Sequence, residues 1–542
     1  MQSDRTQPSL GELAAMSAGI GMLMAHQIVL LRFTPDDSYI SFRYARNLAA
    51  GNGLVYNVGE RVEGFSNLLW VLLLSLGSRL GLDIQPLAKF LGVAAAMGML
   101  TLALVLLKRL AKPGATGMLA LAVLVAGNTG FAFYSISGME TMLFGLWLIL
   151  GVWIIASPRE RTRDVLPLVG LAAALTRPEG VLLLGLGTAW SAARLAVAPR
   201  GKRMGKALWI GAALAGLVGM MIFRRTYFGD WLPNTFYAKS FDWLPSRPRP
   251  WGGLHYTMAF LRGTGAPALC VAALAGLIGI GQRARLFAGL TICCGLIFVI
   301  HANFDWMAYA RFWVPYLPLL ALLIVLGWER LTGGALNSRA AWSLLLLAAL
   351  LTMPTNMAKT RDLVKDPGGY PQNLMSGVYQ RNIGKHLGRL YPEQTSLATK
   401  RIGAVGYYSE LRILDAFGLI DKPVAQTFHQ SRRKGAEVDR NSVVAHELLQ
   451  RGPDLVLVYT HGDLDNPLSY TPQGDRMLRG IDEELWKAAL ERNYRPVQKW
   501  PMGPGDKMAY LYASPGFGLS IPSAQQGFTT HADKGANDDE NH

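Results

Sequence analysis

Two adjacent carboxylates, Asp36 and Asp37, open the stretch "PDDSYISFRYARN" directly after an apolar run long enough to cross a bilayer. A carboxylate at a membrane surface can serve as a general base toward an acceptor hydroxyl. It can also cap a helix, because Asp is favoured before and within a first helical turn. A cap needs one Asp, which leaves the other spare. Tyr39, Arg43, Arg46 and Asn47 follow at helical spacing and form one polar face. More ionisable and aromatic groups recur between later apolar runs. They are Glu63 in "GERVEGFSN", Glu140 in "SGMET", and Arg177 and Glu179 in "TRPEG". Asn234, Tyr237 and Lys239 lie in "YFGDWLPNTFYAK", and His301, Asp305, Trp306 and Arg311 in "HANFDWMAYARF".

Each group also has an ordinary role open to it. Glu140 can cap the apolar run that begins at Thr141, and Arg177 with Glu179 can pin the break at Pro178. Lys239 and Arg311 can snorkel to the interface. His301 and Asp305 can be a loop pair, since no close ligand set surrounds them for a metal. Taken together, the groups suit one chemistry. A sugar on a polyprenyl phosphate has its leaving group at the membrane surface. Its transfer needs a carboxylate near the acceptor (Asp36 or Asp37) and cations for the departing phosphate (Arg177, Lys239, Arg311). Tyr39, Trp231, Tyr237 and Trp306 would stack on sugar rings or sit at the interface. Arg43, Glu63, Glu140, Glu179, Asn234, His301 and Asp305 would position substrate.

Those residues need a scaffold in the bilayer. Of 542 residues, 51% are hydrophobic and 17% charged, and the apolar residues come in blocks, which marks a multispanning membrane protein. Eleven spans are expected, over 13–33, 87–107, 117–134, 141–156, 165–176, 180–195, 208–223, 266–280, 286–301, 313–327 and 341–353. A further apolar stretch, 66–80, reads as a re-entrant or surface-lying helix. With it not crossing, the Lys- and Arg-rich loops "KRLAKPG", "SPRERTRD", "RLAVAPRGKRMGK", "QRAR" and "ERLTGGALNSR" all fall on one side. The positive-inside rule makes that side cytoplasmic, together with the N-terminus. The first apolar run lacks an A-x-A cleavage pattern and reads as a retained span. The carboxylates, cations and aromatics named above then collect on the outer side.

Residues 1–354 form the membrane part, with a first periplasmic loop over 33–85. Residues 355–516 alternate strand-like runs ("TSLATK", "LRILDAFG", "DLVLVYT") with helix-like runs, which predicts a periplasmic α/β domain. The tail 517–542 lacks apolar periodicity and reads as disordered. The net charge of +16 is scattered between apolar runs without any nucleic-acid motif. Cys270, Cys293 and Cys294 fall in or beside apolar segments and form no disulfide framework or metal spacing.

The runs "DDSYISFRYARNLAAGNGLVYNVGERVEGFSNLLW", "SGMETMLFG", "LTRPEG", "YFGDWLPNTFYAK" and "RFWVPYLP", with "GAVGYYSELRILDAFGLID" further on, resemble the GT-C superfamily of polyprenyl-phosphate-dependent glycosyltransferases. Within it they are most similar to the terminal arabinofuranosyltransferases of mycobacterial cell-wall synthesis. The resemblance implies a GT-C membrane domain in a bacterial inner membrane with a periplasmic α/β domain. It also implies a decaprenyl- or undecaprenyl-phosphate sugar donor, a glycan, lipid-linked glycan or protein acceptor, and a base among Asp36 and Asp37, with Asp36 narrowly favoured. Some members use a divalent metal and others do not; no residue set here decides it. A transporter or flippase for a lipid-linked or charged solute is the alternative, suggested by the break at Pro178. For the glycosyltransferase, removing residues 355–542 should alter acceptor choice more than chemistry.

Overall fold

The computed structural model describes residues 9–111, 113–239, 251–263, 267–277, 283–302, 305, 307–332, 338–365, 376–433, 440–461, 480–501 and 507–517. Among the described residues the expected spans fold mainly as helix. Among the described residues six helices are long and apolar enough to cross a membrane: Leu10–Leu30, Ile84–Leu110, Arg200–Tyr227, Arg283–Ala302, Ala308–Thr332 and Ala340–Val364. A seventh arises if Gly114–Ala126 and Thr129–Ile136, bent by 61°, form one broken span. The bend has a local cause. Asn128 stops the first helix and caps the second, its side chain accepting from Phe131 N at 3.0 Å. The other expected spans fall on shorter helices: Thr141–Ala156, Leu166–Thr176, Gly180–Ala196 and Pro267–Leu277. Long apolar helices therefore account for fewer crossings than the eleven read from the sequence. The stretch expected to stay out of the bilayer is the short apolar helix Leu68–Arg79.

The polar part builds a five-stranded sheet in the order β2-β1-β3-β5-β4. Its strands are β1 (Ser396–Thr399), β2 (Arg412–Asp415), β3 (Leu455–His461), β4 (Arg495–Pro501) and β5 (Lys507–Ala513). β1 pairs in parallel with β2 and β3, while β5 runs antiparallel to β3 and β4. The first three strands match the strand-like runs of the sequence. β4 and β5 went unread because "RPVQKWP" is a mostly exposed edge strand bounded by prolines, with no alternation to see. The expected tail lies, beyond Phe517, outside the described residues.

The run "LVLVY" in β3 is apolar throughout because both sheet faces are covered. Val456 and Val458 pack with Val444, Leu448 and Leu485 of the helices Arg440–Gln450 and Gly480–Glu491. Leu455 and Leu457 face the other way. They share one core with Leu397, Ile413 and Leu511 and with Tyr39, Phe42, Tyr44, Tyr56, Phe65 and Trp70 of the first loop region. The sheet is thus packed onto the segment that carries Asp36 and Asp37.

Candidate functional site

The helix Asp36–Ala49 starts at Pro35, which is the N-cap and has no side-chain cap bond. Neither Asp36 nor Asp37 caps this helix from the N-cap position, contrary to one of the two sequence readings. They part company instead. The Asp36 carboxylate leaves its own helix and accepts from two backbone amides of the α/β domain, Ala404 N at 2.7 Å and Gly403 N at 3.1 Å. Asp37 makes no hydrogen bond or ion pair among the described residues. Its charged neighbours are Arg311, Asp36, Lys239 and Asp305. Burial pushes its carboxyl up to about 6; Arg311 and Lys239 oppose the rise, and Asp36 and Asp305 add to it.

Arg311 is held in a two-point pair with Asp305, Nε–Oδ2 2.8 Å and Nη2–Oδ1 3.3 Å. The turn that delivers it is strained. Tyr309 and Ala310, both non-glycine, have φ of 60° and 53°. Such conformations cost on the order of 1–3 kcal/mol each and gather at functional sites. The turn is tied down by Tyr134 Oη, which donates to Ala308 O at 2.7 Å, and by Tyr256 Oη, which accepts from Phe312 N at 3.2 Å. Gly130 allows the close approach, since a Cβ there would lie 3.0 Å from the Tyr309 carbonyl oxygen. Nothing in the sequence pattern announced this turn. Lys239, at the end of the helix Asn234–Lys239, is exposed to solvent and forms no ion pair among the described residues. Arg311, Asp37, Asp305 and Arg177 surround it electrostatically.

Arg177 stands at the break between Leu166–Thr176 and Gly180–Ala196. Its Nε donates to Glu179 Oε1 at 2.5 Å and its Nη1 to Glu140 Oε1 at 3.1 Å. Glu140 does not cap the helix after it by its side chain; its Oε2 accepts from Asn67 Nδ2 at 2.9 Å. The buried Arg177 is flanked by two carboxylates and has no charge to spare for a donor phosphate. Its geometry matches the structural alternative, a pair pinning the helix break, extended by Glu140.

Other residues expected to position substrate are taken up in structural ties: Arg43 joins the first loop to the α/β domain, Asn234 joins the segment after Arg200–Tyr227 to that domain, and Glu63 joins the first loop to Arg200–Tyr227. Arg43 is buried; its Nε donates to Tyr56 O at 2.9 Å, Nη1 to Gly406 O at 2.6 Å and Nη2 to Leu411 O at 2.8 Å. Asn234 Nδ2 donates to Gly418 O at 2.7 Å. Glu63 pairs with Arg224 at 2.6 and 3.0 Å. Tyr39 is 2% exposed and wedged among Phe42, Tyr407 and Tyr408, which leaves no ring face for a sugar. The Tyr237 ring meets His429 edge-on at 5.5 Å. His301 is exposed at the end of Arg283–Ala302, and Trp306 lies outside the described residues. Among the described residues no three His, Cys, Asp or Glu side chains gather as a metal-holding group.

The sequence reading missed the α/β-domain side of the joint. Asn57 Nδ2 donates to Ile413 O at 2.8 Å and its Oδ1 accepts from Ile413 N at 3.0 Å, closing the free edge of β2. Tyr56 Oη donates to Ile402 O, and Arg46 pairs with Glu410 at 2.7 Å. The two glycines of "GAVG" were the visible signal.

A family model described as a domain of unknown function (DUF8728) matches residues 372–517. Over 227 residues the chain is 32% identical to a terminal β-(1→2)-arabinofuranosyltransferase of Mycobacterium tuberculosis, covering 38% of this chain and 35% of that protein. Over 365 residues it is 27% identical to the protein of the same name from Corynebacterium glutamicum, covering 58% of this chain and 50% of that one. The chain thus spans half or less of the length of these curated relatives. Among solved structures it is similar to ArnT from Cupriavidus metallidurans, with a TM-score of 0.55, 13% identity, and coverage of 92% of this chain and 98% of that one. The same protein bound to undecaprenyl phosphate matches with a TM-score of 0.54, 12% identity, and coverage of 92% and 97%. At such identity the likeness is one of fold. The chain is a helical membrane protein of GT-C fold, as its sequence resemblance implied.

Proposed function

We propose that this chain is a membrane glycosyltransferase that moves a sugar of the arabinofuranose class from a polyprenyl phosphate to a cell-envelope glycan acceptor. The observation that carries this reading is the Asp37 carboxylate, without a hydrogen bond or ion pair among the described residues, with Lys239 and the Arg311–Asp305 pair as its charged neighbours. Support for the donor class comes from the two arabinofuranosyltransferase relatives and the fold neighbour solved with undecaprenyl phosphate. Asp37 takes the proton of the acceptor hydroxyl. The acceptor oxygen bonds to the anomeric carbon, the bond from that carbon to the phosphate oxygen breaks, and polyprenyl phosphate leaves with the electron pair. Lys239 and one edge of Arg311 offset the charge that builds on the phosphate. The basic loops support a cytoplasmic N-terminus and an outer α/β domain, with eleven crossings if the short apolar helices also span.

The test is transfer by the purified protein in nanodiscs, from a synthetic polyprenyl-phosphoryl arabinofuranose to an arabinan oligosaccharide. Release of polyprenyl phosphate with a lengthened acceptor is expected; uptake or flipping of lipid without sugar transfer would instead favour a transporter. The pH dependence of kcat/KM should rise through about pH 6 and level off above it, because Asp37 must be ionised to accept a proton and its carboxyl sits near that value. A rate that stays flat from pH 5 to 8 would remove Asp37 as the base. Lys239→Met should lower kcat/KM for the donor about 10- to 100-fold, the loss of one charge-assisted contact. An unchanged kcat/KM would take Lys239 out of the donor site.

A further inference from the structure

The order β2-β1-β3, with both pairs parallel, means that the chain leaves β1 toward one neighbour and later returns on its other side. That is a topological switch point. In open α/β sheets, the crevice outside the carboxyl ends of the strands at such a point is where ligands bind. Here the crevice is occupied from within the molecule. Asp36 enters it from the membrane part and takes the Gly403 and Ala404 amides in the turn directly after β1. Arg401, two residues beyond the end of β1, bears on the Asp36 charge, and Asp36, Arg401 and Asp482 all bear on Tyr459 near the end of β3.

We infer that the α/β domain belongs to the catalytic apparatus: it holds Asp36 as a positioning residue in its own ligand crevice, and Asp36 in turn sets the place of Asp37. This rests on the functional reading above. Both Asp36 oxygens are engaged, so its orientation is defined by the α/β domain. Asp37 follows it in the first turn of the same helix, where successive residues point about 100° apart. Fixing one carboxylate in the turn after β1 therefore sets the direction of the next, which has Arg311 and Lys239 among its charged neighbours. No side-chain cap at Pro35 competes for this end of the helix, and the next tie is Ser38 Oγ, which donates to Ser137 O at 2.8 Å.

Two glycines permit the approach. A Cβ at position 403 would lie 1.9 Å from the Asp36 carbonyl oxygen, and one at 406 would lie 1.9 Å from Tyr56 Oη. Neither contact can be relieved by a small shift, because position 403 meets backbone and the Tyr56 hydroxyl is itself tied to Ile402 O. On this inference, removing residues 355–542 impairs the chemistry and not mainly the choice of acceptor.

Gly403→Ala and Asp36→Asn in the full-length protein, in nanodiscs with the same donor and acceptor, test the inference. Gly403→Ala should lower kcat by about 100-fold, the effect of an ångström-scale misplacement, with donor KM within about twofold. Asp36→Asn keeps an acceptor oxygen for one amide and should retain measurable transfer. Its acid limb should move below that of the wild type, because one of the negative neighbours of Asp37 is gone while Asp305, Arg311 and Lys239 remain. A second readout needs no turnover: in Asp36→Ala the Gly403 and Ala404 amides should exchange hydrogen faster. Wild-type kcat in Gly403→Ala, unchanged exchange in Asp36→Ala, or complete loss of transfer in Asp36→Asn would each overturn the inference while transfer by the wild type upholds the functional reading. A wild-type protein that transfers no sugar overturns that reading, and the positioning role with it.

Discussion

Asp37→Asn is expected to lower sugar transfer by about 10²–10⁴-fold, the range that a general base contributes, while leaving a protein that is folded and at least as stable. The two halves of this result have one cause. Burial, reinforced by the negative charges of Asp36 and Asp305, raises the Asp37 carboxyl from the usual 3.8 to about 6. Because the folded state binds this proton more tightly than the unfolded chain does, the contribution to stability is present at low pH. It is lost as pH rises through the window from 3.8 to about 6. At neutral pH the ionised carboxylate therefore costs the fold up to ~3 kcal/mol, at 1.36 kcal/mol per unit. Asn removes that cost. Thermal unfolding in detergent at pH 7.5 should give an equal or higher midpoint for Asp37→Asn, beside near-zero transfer. A lower midpoint would mean that Asp37 is a structural group, and full transfer would end its candidacy as the base.

Arg177→Met is expected to do the reverse and fail through stability. The guanidinium is fully surrounded by its ties to Glu140 and Glu179, with side-chain exposures of 6%, 11% and 2% for the three residues. Among the described residues Glu179 Oε2 already lacks a hydrogen-bond partner. Removing the cation leaves two carboxylates buried together, and breaking a buried pair in this way costs about 3–5 kcal/mol. The unfolding midpoint in detergent should fall by several degrees, and the yield of folded protein with it. Glu140→Gln combined with Arg177→Met should recover part of the loss by removing one of the stranded charges. The remaining folded fraction should show an unchanged donor KM. A stable Arg177→Met protein with a raised donor KM would return Arg177 to the donor phosphate site, where the sequence reading placed it.

The contrast between these residues shows how far a single sequence carries. Asp37, Lys239, Asp305 and Arg311 were legible because ionisable groups beside apolar runs are costly and stand out. The helices were legible for a related reason, since apolar blocks leave little choice of structure in a bilayer. Arg43, Asn234 and Glu63 stood out just as clearly, yet each is taken up in a tie between segments: Arg43 and Asn234 to the α/β domain, Glu63 to Arg224 of the helix Arg200–Tyr227. A buried Arg satisfied by carbonyl oxygens and an Arg awaiting a phosphate have the same letter and the same neighbours in sequence. What separates them is whether groups more than 300 positions away fill the hydrogen-bonding capacity, as Gly406 and Leu411 do for Arg43.

The pair at the head of the helix is the sharpest case. From "PDDSYISFRYARN" alone came the placement of two carboxylates at the end of a span, the helix after them, and the surplus of one acid over what a cap needs. Those features follow from local preference and from the apolar block before them. Which acid stays without a hydrogen bond among the described residues was decided only when Gly403 and Ala404 came within hydrogen-bond reach of Asp36, while Asp37 has Arg311 and Lys239 among its charged neighbours. Adjacent identical residues have identical propensities, so only a partner distant in the chain can make them different.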